Sequence, residues 1–269
     1  MAPGPGEYEV LAIRYGSLRT TRSHLFFNYS EYGEPDAPAE LSYYFWVVRG
    51  AAGTVVIDTG YSREAGERRG RDLMVDPPEA FESLGIGPDF PGTVVITHAH
   101  YDHIGNLGYF ERARFVMAEA EYGFWTGAGS RLALFANLIE QREIQQLRDL
   151  RESGRLRLIA EDEDLLPGVR LLFGAGHTPG QLMVEVRSAE ETMLLTSDAV
   201  HVDEELRRDM PFRHMTDLPA SFDTYEAIRL AEAEGAHVLT GPEPAIPERY
   251  EAGPIPASFD IGRRSPTRG

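Results

Sequence analysis

Three histidines and one aspartate lie within the segment Thr97–His103 (THAHYDH). The segment directly follows Thr93–Ile96, a run of β-branched residues that predicts a buried strand. The polar residues therefore begin at the carboxyl end of a strand, where α/β sheets commonly place their ligands. A lone histidine at such a position usually packs against its neighbours or faces solvent. Four potential ligands at this spacing instead predict a metal site.

The available side chains restrict the metal and its ligands. The chain has 269 residues and no cysteine, so it can offer imidazole and carboxylate groups but no thiolate. These groups suit zinc, and also manganese, iron or cobalt. The lack of cysteine also excludes disulfides and fits a cytoplasmic protein, which is the location we expect.

Charge and hydropathy narrow the range of partners. Acidic side chains outnumber basic ones by 43 to 26, which gives a formal net charge of −17. Such a chain repels nucleic acid and anionic membrane surfaces, so neither is expected as a partner. The first six residues lack the basic and apolar regions of a signal peptide, and no apolar run approaches the roughly 18 residues of a spanning helix. We therefore expect a soluble enzyme that acts on a small molecule.

Apolar periodicity predicts strands interrupted by helices. The predicted strands are Tyr8–Arg14, Leu41–Val48, Thr54–Ile57, Thr93–Ile96, Phe115–Met117, Leu156–Ile159, Val169–Phe173, Leu182–Val186, Met193–Thr196 and Ala236–Thr240. The clearest predicted helices are Pro77–Leu84 and Phe222–Ala233. Residues 24–27 form either a further strand or a lip over a site, and residues 63–71 are expected to be a charged loop.

The order of these elements predicts one α/β domain over residues 1–269, built as an αββα sandwich. Residues 119–152 form a helical insertion, which serves either as a lid or as a plain packing helix. Residues 251–269 show little apolar periodicity, and we expect an irregular tail there.

Further polar groups follow other predicted strands. Asp58 comes directly after Thr54–Ile57, and His177 lies in a glycine-rich turn after Val169–Phe173. Asp198 follows the strand that ends at Thr196. Side chains at several strand ends can converge on one edge of packed sheets and form a cage for two cations. In such sites a carboxylate bridges the ions and hydroxide is the nucleophile.

These motifs resemble those of the metallo-β-lactamase superfamily. The resemblance rests on His98-x-His100-x-Asp102-His103, on Gly176-His177-Thr178-Pro179-Gly180 and on Ser197-Asp198, with further similarity at Val56–Gly60 and Gly105–Leu107. It covers roughly residues 41–249 and is strongest to the N-acyl-homoserine lactonase branch. The resemblance implies a single metallo-β-lactamase-type αββα sandwich with metals at the shared edge of its sheets. It also allows a homodimer, because relatives commonly dimerise.

The resemblance also implies a role for each site residue. Metal site one would use His98, His100 and His177, and metal site two would use Asp102 and His103. Asp198 would bridge the two, and Asp58 would orient a ligand imidazole through its free ring nitrogen.

One departure from the family pattern affects site two. The family closes this site with a histidine in a Gly-His-Asp turn after the last strand, whereas this chain has Gly241-Pro242-Glu243. Glu243 could supply a carboxylate instead, and His201 is another candidate. The alternatives are a compensated pair of metals, a single tightly held metal, and a degenerate site.

The activity implied is the opening of a lactone or related ester by metal-bound hydroxide. Asp102 or Asp198 would shuttle the proton to the leaving alkoxide, and His201 or a metal would stabilise the oxyanion. Zinc, as one or two ions, is the expected cofactor. The alternatives are a thioesterase or polyketide-type cyclase, a phosphodiesterase or β-lactamase, and a pseudoenzyme that binds a metabolite. The lack of a basic run disfavours phosphate substrates.

The remaining candidates concern the pocket and the other histidines. Three aromatic side chains are candidates for an acyl pocket: Tyr29, Phe45 and Trp46. His24 is expected to be structural or at the pocket rim. We expect His214 to be exposed on a loop and His237 to pack at the start of the last strand.

Overall fold

The structure, a computed structural model, describes residues 7–188 and 191–265. Its strands are β1 (Tyr8–Thr21), β2 (Pro38–Gly50), β3 (Gly53–Ile57), β4 (Asp72–Leu73), β5 (Thr93–Val95), β6 (Arg114–Ala118), β7 (Leu156–Ile159), β8 (Glu163–Leu166), β9 (Val169–Phe173), β10 (Leu182–Arg187), β11 (Thr192–Leu195), β12 (His237–Leu239), β13 (Tyr250–Ala252) and β14 (Ser258–Arg264).

The helices in the described part of the chain are mostly short. They are α1 (Arg22–Leu25), α2 (Arg63–Arg68), α3 (Pro77–Ser83), α4 (Tyr101–Ile104), α5 (Glu119–Thr126), α6 (Ala133–Ala136), α7 (Gln141–Glu152), α8 (Asp203–Arg208), α9 (Leu218–Ala233) and α10 (Ile246–Arg249). Single turns of 3-10 helix occupy Tyr29–Tyr32, Leu107–Tyr109, Gly129–Arg131 and Ser197–Ala199. Residues 119–152 thus contain α5, α6 and α7.

Two β-sheets face each other. The larger has the order β13-β14-β1-β2-β3-β5-β6-β7, with β4 pairing β1, and the smaller has the order β12-β11-β10-β9-β8. Val95, Val184 and Leu195 are among the buried residues that fill the space between the sheets. The outer face of the large sheet packs on α3, α5 and α7, and Tyr225 and Ile228 of α9 pack on the small sheet. This is the predicted α/β arrangement, with helices flanking a two-sheet sandwich.

The parallel strands determine where the polar segments meet. Strands β3, β5, β6 and β7 pair in parallel, as do β11 and β12. Their carboxyl ends therefore lie at one edge of each sheet. Asp58 follows β3 and the Thr97–His103 segment follows β5, so both reach the same edge.

Several expected elements differ in the structure. Residues 24–27 are not a strand, because α1 occupies Arg22–Leu25 and the apolar side chains pack beside Met210. The charged segment 63–71 forms α2, whose N-terminus is capped by the Ser62 hydroxyl accepting a hydrogen bond from Ala65 N at 3.2 Å. Strand β8 was not predicted.

The expected irregular tail is also corrected. Strand β14 pairs antiparallel with β1, with Leu11 opposite Asp260 and Ile13 opposite Ser258. Ile261 is 1% exposed and belongs to the core between the sheets. Residues 266–269 of the expected tail lie outside the described residues.

In the described ranges, no helix combines the length and the apolar character required to cross a bilayer.

Candidate metal centre

Three imidazole nitrogens converge at the edge of the sheets. His98 Nε2 lies 3.1 Å from His100 Nδ1, and His177 Nε2 lies 3.0 Å from the same atom. Zinc bound tetrahedrally by imidazole at 2.0–2.1 Å would have ligand nitrogens about 3.3 Å apart. The three residues predicted for site one therefore form a group of the right chemistry and size.

A second group lies beside the first and contains carboxylates. His103 Nε2 lies 3.4 Å from Asp198 Oδ1 and 3.9 Å from Asp102 Oδ2. Asp198 Oδ2 also lies 3.9 Å from His98 Nε2 and 3.7 Å from His177 Nε2. Asp198 is thus placed between the two groups.

Burial and unmet hydrogen bonding indicate that these residues fit a cation. His98, His100, His103, His177 and Asp198 are at most 6% exposed. Asp198 Oδ1 is buried and accepts no hydrogen bond from any described residue. A buried carboxylate oxygen without a partner is costly, and a coordinated cation would offset that cost. Imidazole and carboxylate are also the usual ligands of catalytic zinc.

Hydrogen bonds to the far side of the His103 and His177 rings fix the orientation of these two imidazoles. Asp58 Oδ2 accepts from His103 Nδ1 at 2.7 Å and from Thr97 Oγ1 at 2.7 Å, and Asp58 Oδ1 accepts from Thr97 N at 2.8 Å. His177 Nδ1 donates to the carbonyl of His214 at 2.8 Å. Because Nδ1 of each ring is hydrogen-bonded in this way, both imidazoles direct Nε2 into the site. Hydrogen bonds of this kind commonly orient the imidazoles that bind metals.

Electrostatics separate the histidines into two groups. Burial lowers the pKa of His98, His100 and His177 well below the usual value, so these rings are neutral and suited to bind a metal. Burial would also lower the pKa of His103, but Asp198, Asp58 and Asp102 raise it well above its usual value. The carboxylates thus concentrate negative charge around His103, where a cation would be favoured.

His201 joins the centre from the turn after β11. Its Nε2 lies 3.2 Å from Asp198 Oδ2, and the ring stacks on Phe212 with centroids 3.6 Å apart. Burial would lower the pKa of His201, but Asp198 and Glu205 raise it to about 9. His177, Asp198 and His201 form a third group able to hold a cation.

Glu243 does not face the centre, which corrects its candidacy as a ligand. Its carboxylate accepts hydrogen bonds from Asp203 N and Ala245 N, both at 3.0 Å. It lines a different groove, together with Arg22 and Arg249. Pro242 lies beside Asp198 and His201 in the wall of the central cavity, at the turn where the family pattern has a ligating histidine.

A cavity of about 270 Å³ opens onto the centre. Asp102, Asp198 and His201 line it, and its apolar wall contains Leu18, Leu25, Leu41, Leu138 and Phe212. The aromatic residues predicted for an acyl pocket do not line it. Phe45 and Trp46 lie in the two large apolar cores, and Tyr29 packs under α1 with its hydroxyl accepting from Arg22 Nε at 2.8 Å.

The other histidines are placed as follows. His24 lines the cavity. Of the two positions expected for it, structural or at the pocket rim, this fits the second. His214 lines the same cavity and is half-buried, whereas exposure was expected. His237 lies within hydrogen-bonding distance of the Tyr250 hydroxyl, at 2.7 Å, outside the site.

Two buried glutamates support the centre and were missed in the sequence. Glu121 Oε1 accepts from Ala99 N at 2.9 Å and from Trp125 Nε1 at 2.6 Å, and Glu121 Oε2 accepts from Gly180 N at 3.0 Å. It therefore joins the two loops that carry His98, His100 and His177. No sequence signal distinguished Glu121 from Glu119, the exposed acid at the start of α5.

Glu205 holds the His201 ring from the other side. Its Oε2 accepts from His201 N at 2.7 Å and lies 3.3 Å from His201 Nδ1. Its Oε1 accepts from Phe212 N at 2.9 Å and from the Tyr225 hydroxyl. No sequence signal distinguished Glu205 from its acidic neighbours in α8.

The family model described as Metallo-beta-lactamase superfamily matches residues 39–236. The chain belongs to this superfamily. N-acyl homoserine lactonase AiiB of Agrobacterium fabrum is 34% identical over 134 residues, which cover 46% of this chain and 46% of the relative. N-acyl homoserine lactonase AiiA of Bacillus thuringiensis subsp. kurstaki is 23% identical over 196 residues, which cover 66% of this chain and 72% of the relative. The match to AiiB thus spans about half the length of that curated relative.

Solved structures extend the similarity in fold. A quorum-quenching N-acyl homoserine lactone lactonase superposes with a TM-score of 0.74 at 19% identity, covering 92% of this chain and 95% of the other. AidC, a dizinc quorum-quenching lactonase solved with a product, gives a TM-score of 0.72 at 17% identity over 95% and 94% of the two chains. At these identities the similarity shows the shared fold.

Proposed function

We propose that this protein is a metal-dependent hydrolase that opens lactones or related esters. The observation that carries the proposal is the buried convergence of His98, His100, His177, His103 and Asp198 at the base of an open cavity. The superfamily membership and the lactonases among the similar proteins support the same chemistry.

The centre offers ligands for two cations, and we propose zinc. One ion would be held by His98, His100 and His177, and a second by Asp102 and His103, with Asp198 shared. Such ions supply Lewis acidity towards the ester carbonyl and towards the attacking water. The second position lacks the imidazole that Pro242 replaces, so we expect it to bind its ion more weakly.

Residues beside these ligands would handle the developing charges. Glu205 holds one side of the His201 ring, so His201 Nε2 is directed towards Asp198 and the cavity. From there it can donate a hydrogen bond to the ester oxygen as negative charge develops. Asp102 lies in the cavity wall and could pass a proton to the leaving alkoxide.

The test measures hydrolysis of a panel of lactones, monitored by the protons released at constant pH. We expect the zinc-loaded protein to open at least one lactone, with one proton released and one hydroxy acid formed per turnover. The variant His98→Ala/His100→Ala should fall to the uncatalysed rate. His237→Gln is the matched control, because it removes a histidine outside the cavity and should retain activity.

A parallel panel of thioesters, with hydrolysis monitored by the thiol released, distinguishes a lactonase from the main alternative, a thioesterase. Turnover of thioesters with no turnover of any lactone or oxygen ester would contradict the proposal. A zinc-loaded protein that binds these compounds and hydrolyses none of them would also contradict it.

A further inference from the structure

We propose that the substrate carries an anionic group, a carboxylate or a phosphate, which Arg71 binds in the cavity of the metal centre. This inference rests on the proposed ester hydrolysis and specifies the substrate class of the same site.

Arg71 is held rigidly in the cavity wall. Its Nε donates to the Tyr101 hydroxyl at 3.0 Å, and its Nη1 donates to the carbonyl of Arg69 at 2.8 Å. The side chain lines the cavity together with Asp102 and His201. A guanidinium fixed by two hydrogen bonds is already oriented, so little conformational entropy would be lost when it binds a ligand.

Arg71 has no carboxylate partner among the described residues. Arg69, two positions earlier, forms an ion pair with Glu140, and Arg22 pairs with Glu204 at 2.7 Å. Arg71 is half-buried; burial opposes its charge, but Tyr43, Tyr101 and Asp102 outweigh this and raise its pKa. The acid with which it interacts electrostatically is Asp102, a candidate metal ligand rather than an ion-pair partner.

The hydrogen-bonding capacity of Arg71 is only partly used. A guanidinium has five N–H groups, and two are used in the contacts to Tyr101 and Arg69. The remaining groups match the planar geometry of a carboxylate or the oxygens of a phosphate. A ligand anion would supply the direct ion-pair partner that Arg71 lacks among the described residues.

Other positive charge surrounds the same cavity. Arg213 lines the cavity, is exposed, and forms no ion pair within the described ranges. Its segment is fixed because Arg213 N donates to the carbonyl of Leu25 at 2.7 Å. In this acidic chain, Arg71 and Arg213 thus place two positive charges in the cavity wall.

The size and apolar lining of the cavity indicate the nature of the rest of the substrate, away from its anionic group. Its volume of about 270 Å³ is slightly below the usual range of about 300–1,000 Å³ for ligand sites. Leucines and Phe212 provide an apolar wall. The geometry therefore fits a small ester with an apolar body and an anion that reaches Arg71.

The experiment compares matched esters that differ only in charge. One compound bears a terminal carboxylate, a second bears the neutral carboxamide, and a third bears a phosphate. The measured quantity is the ratio of kcat/KM for each anionic ester to kcat/KM for the carboxamide. Wild type should favour one anionic ester, and the two anionic compounds distinguish carboxylate from phosphate.

The variant Arg71→Gln should lower this ratio by about 10- to 100-fold, as expected when a charge-assisted hydrogen bond is lost. The loss should come mainly from a higher KM. Arg71→Lys should restore part of the preference, and Arg112→Gln, an exposed arginine with no ion pair in the described structure, should leave the ratio unchanged. Equal ratios in wild type and Arg71→Gln would overturn the inference.

Binding of the hydroxy-acid products separates this inference from the proposed function. Calorimetry should show that Arg71→Gln weakens binding of the anionic product more than binding of its carboxamide analogue. If no ester is hydrolysed but this difference in binding is present, the proposed hydrolysis fails and the anion site stands. If the variant weakens the binding of neither product, or weakens the binding of both equally, the proposed anion site is overturned.

Discussion

A buried carboxylate can bind a cation or hold backbone amides, and Glu243 does the second. It is 7% exposed and accepts hydrogen bonds from the backbone of Asp203 and Ala245. These contacts join the start of α8 to the turn after β12. The residue next to Pro242 therefore stabilises the loop around the centre without completing site two.

The variant Glu243→Ala tests this role. We expect metal content to remain unchanged and the free energy of unfolding to fall by about 1–3 kcal/mol, because two backbone N–H groups lose their acceptor. Elemental analysis and urea unfolding measure the two quantities. Glu248→Ala is the matched control, since Glu248 is exposed. Loss of a metal ion in Glu243→Ala would contradict this role.

At the residue scale, the sequence predicted side chains whose signal is local. His98, His100, His103, His177 and Asp198 each follow a strand closely, so their convergence could be inferred before the structure. Arg71 and Glu121 could not be identified in this way. Arg71 lies in a charged segment, and only the tertiary fold brings it to Tyr101 and the cavity.

At the element scale, α7 carries a carboxyl group towards the core. Glu143 is 4% exposed, and its Oε2 forms no hydrogen bond with the described residues. Burial, together with the charge of Glu140, raises the pKa of Glu143 to about 9. An unfolded glutamate titrates near 4.3. Between these values the folded chain holds a proton that the unfolded chain releases.

Stability should therefore fall as pH rises from about 4.3 towards 9, because the unfolded state binds fewer protons. Glu143→Gln removes this dependence, and we expect it to stabilise the protein at pH 8 by on the order of 5 kcal/mol. Urea unfolding between pH 5 and pH 9 measures the slope. Glu152→Gln, exposed in the same helix, is the control. An unchanged slope in Glu143→Gln would show that this carboxyl group is ionised in the folded state.

Elements with a strong apolar periodicity were predicted from the sequence. Elements whose conformation depends on contacts with residues distant in sequence were not. The hairpin of β2 and β3 and helix α3 follow from apolar patterns and from proline at a helix start. Residues 25–27 carry the apolar run of a strand, yet Phe26 forms only an isolated bridge with Phe212. The partner of that bridge is far away in sequence, so periodicity alone could not reveal it.

At the scale of the whole molecule, the C-terminal segment extends the large sheet. In β14 only Ser258 and Ile261 are buried, which leaves too weak a pattern for prediction. The strand nevertheless pairs with β1, and Ile261 fills the core between the sheets.

Ile261→Ala should reduce the free energy of unfolding by about 2–5 kcal/mol, as for other large-to-small changes in a core. Urea unfolding measures the change. Arg263→Ala is the control in the same strand, because its side chain is 71% exposed and exposed ion pairs contribute little. A loss below about 0.5 kcal/mol for Ile261→Ala would contradict the docking of this strand.

The central claim is that the buried histidines and aspartates form a metal centre, and metal content per chain tests it most directly. The measurement is elemental analysis of protein purified without added metal and again after reconstitution with Zn²⁺ or Mn²⁺. We predict at least one tightly held ion per chain, a second ion that a chelator removes more readily, and loss of the tight ion in His98→Ala/His100→Ala. A folded wild-type chain that binds no metal even after reconstitution would contradict the account.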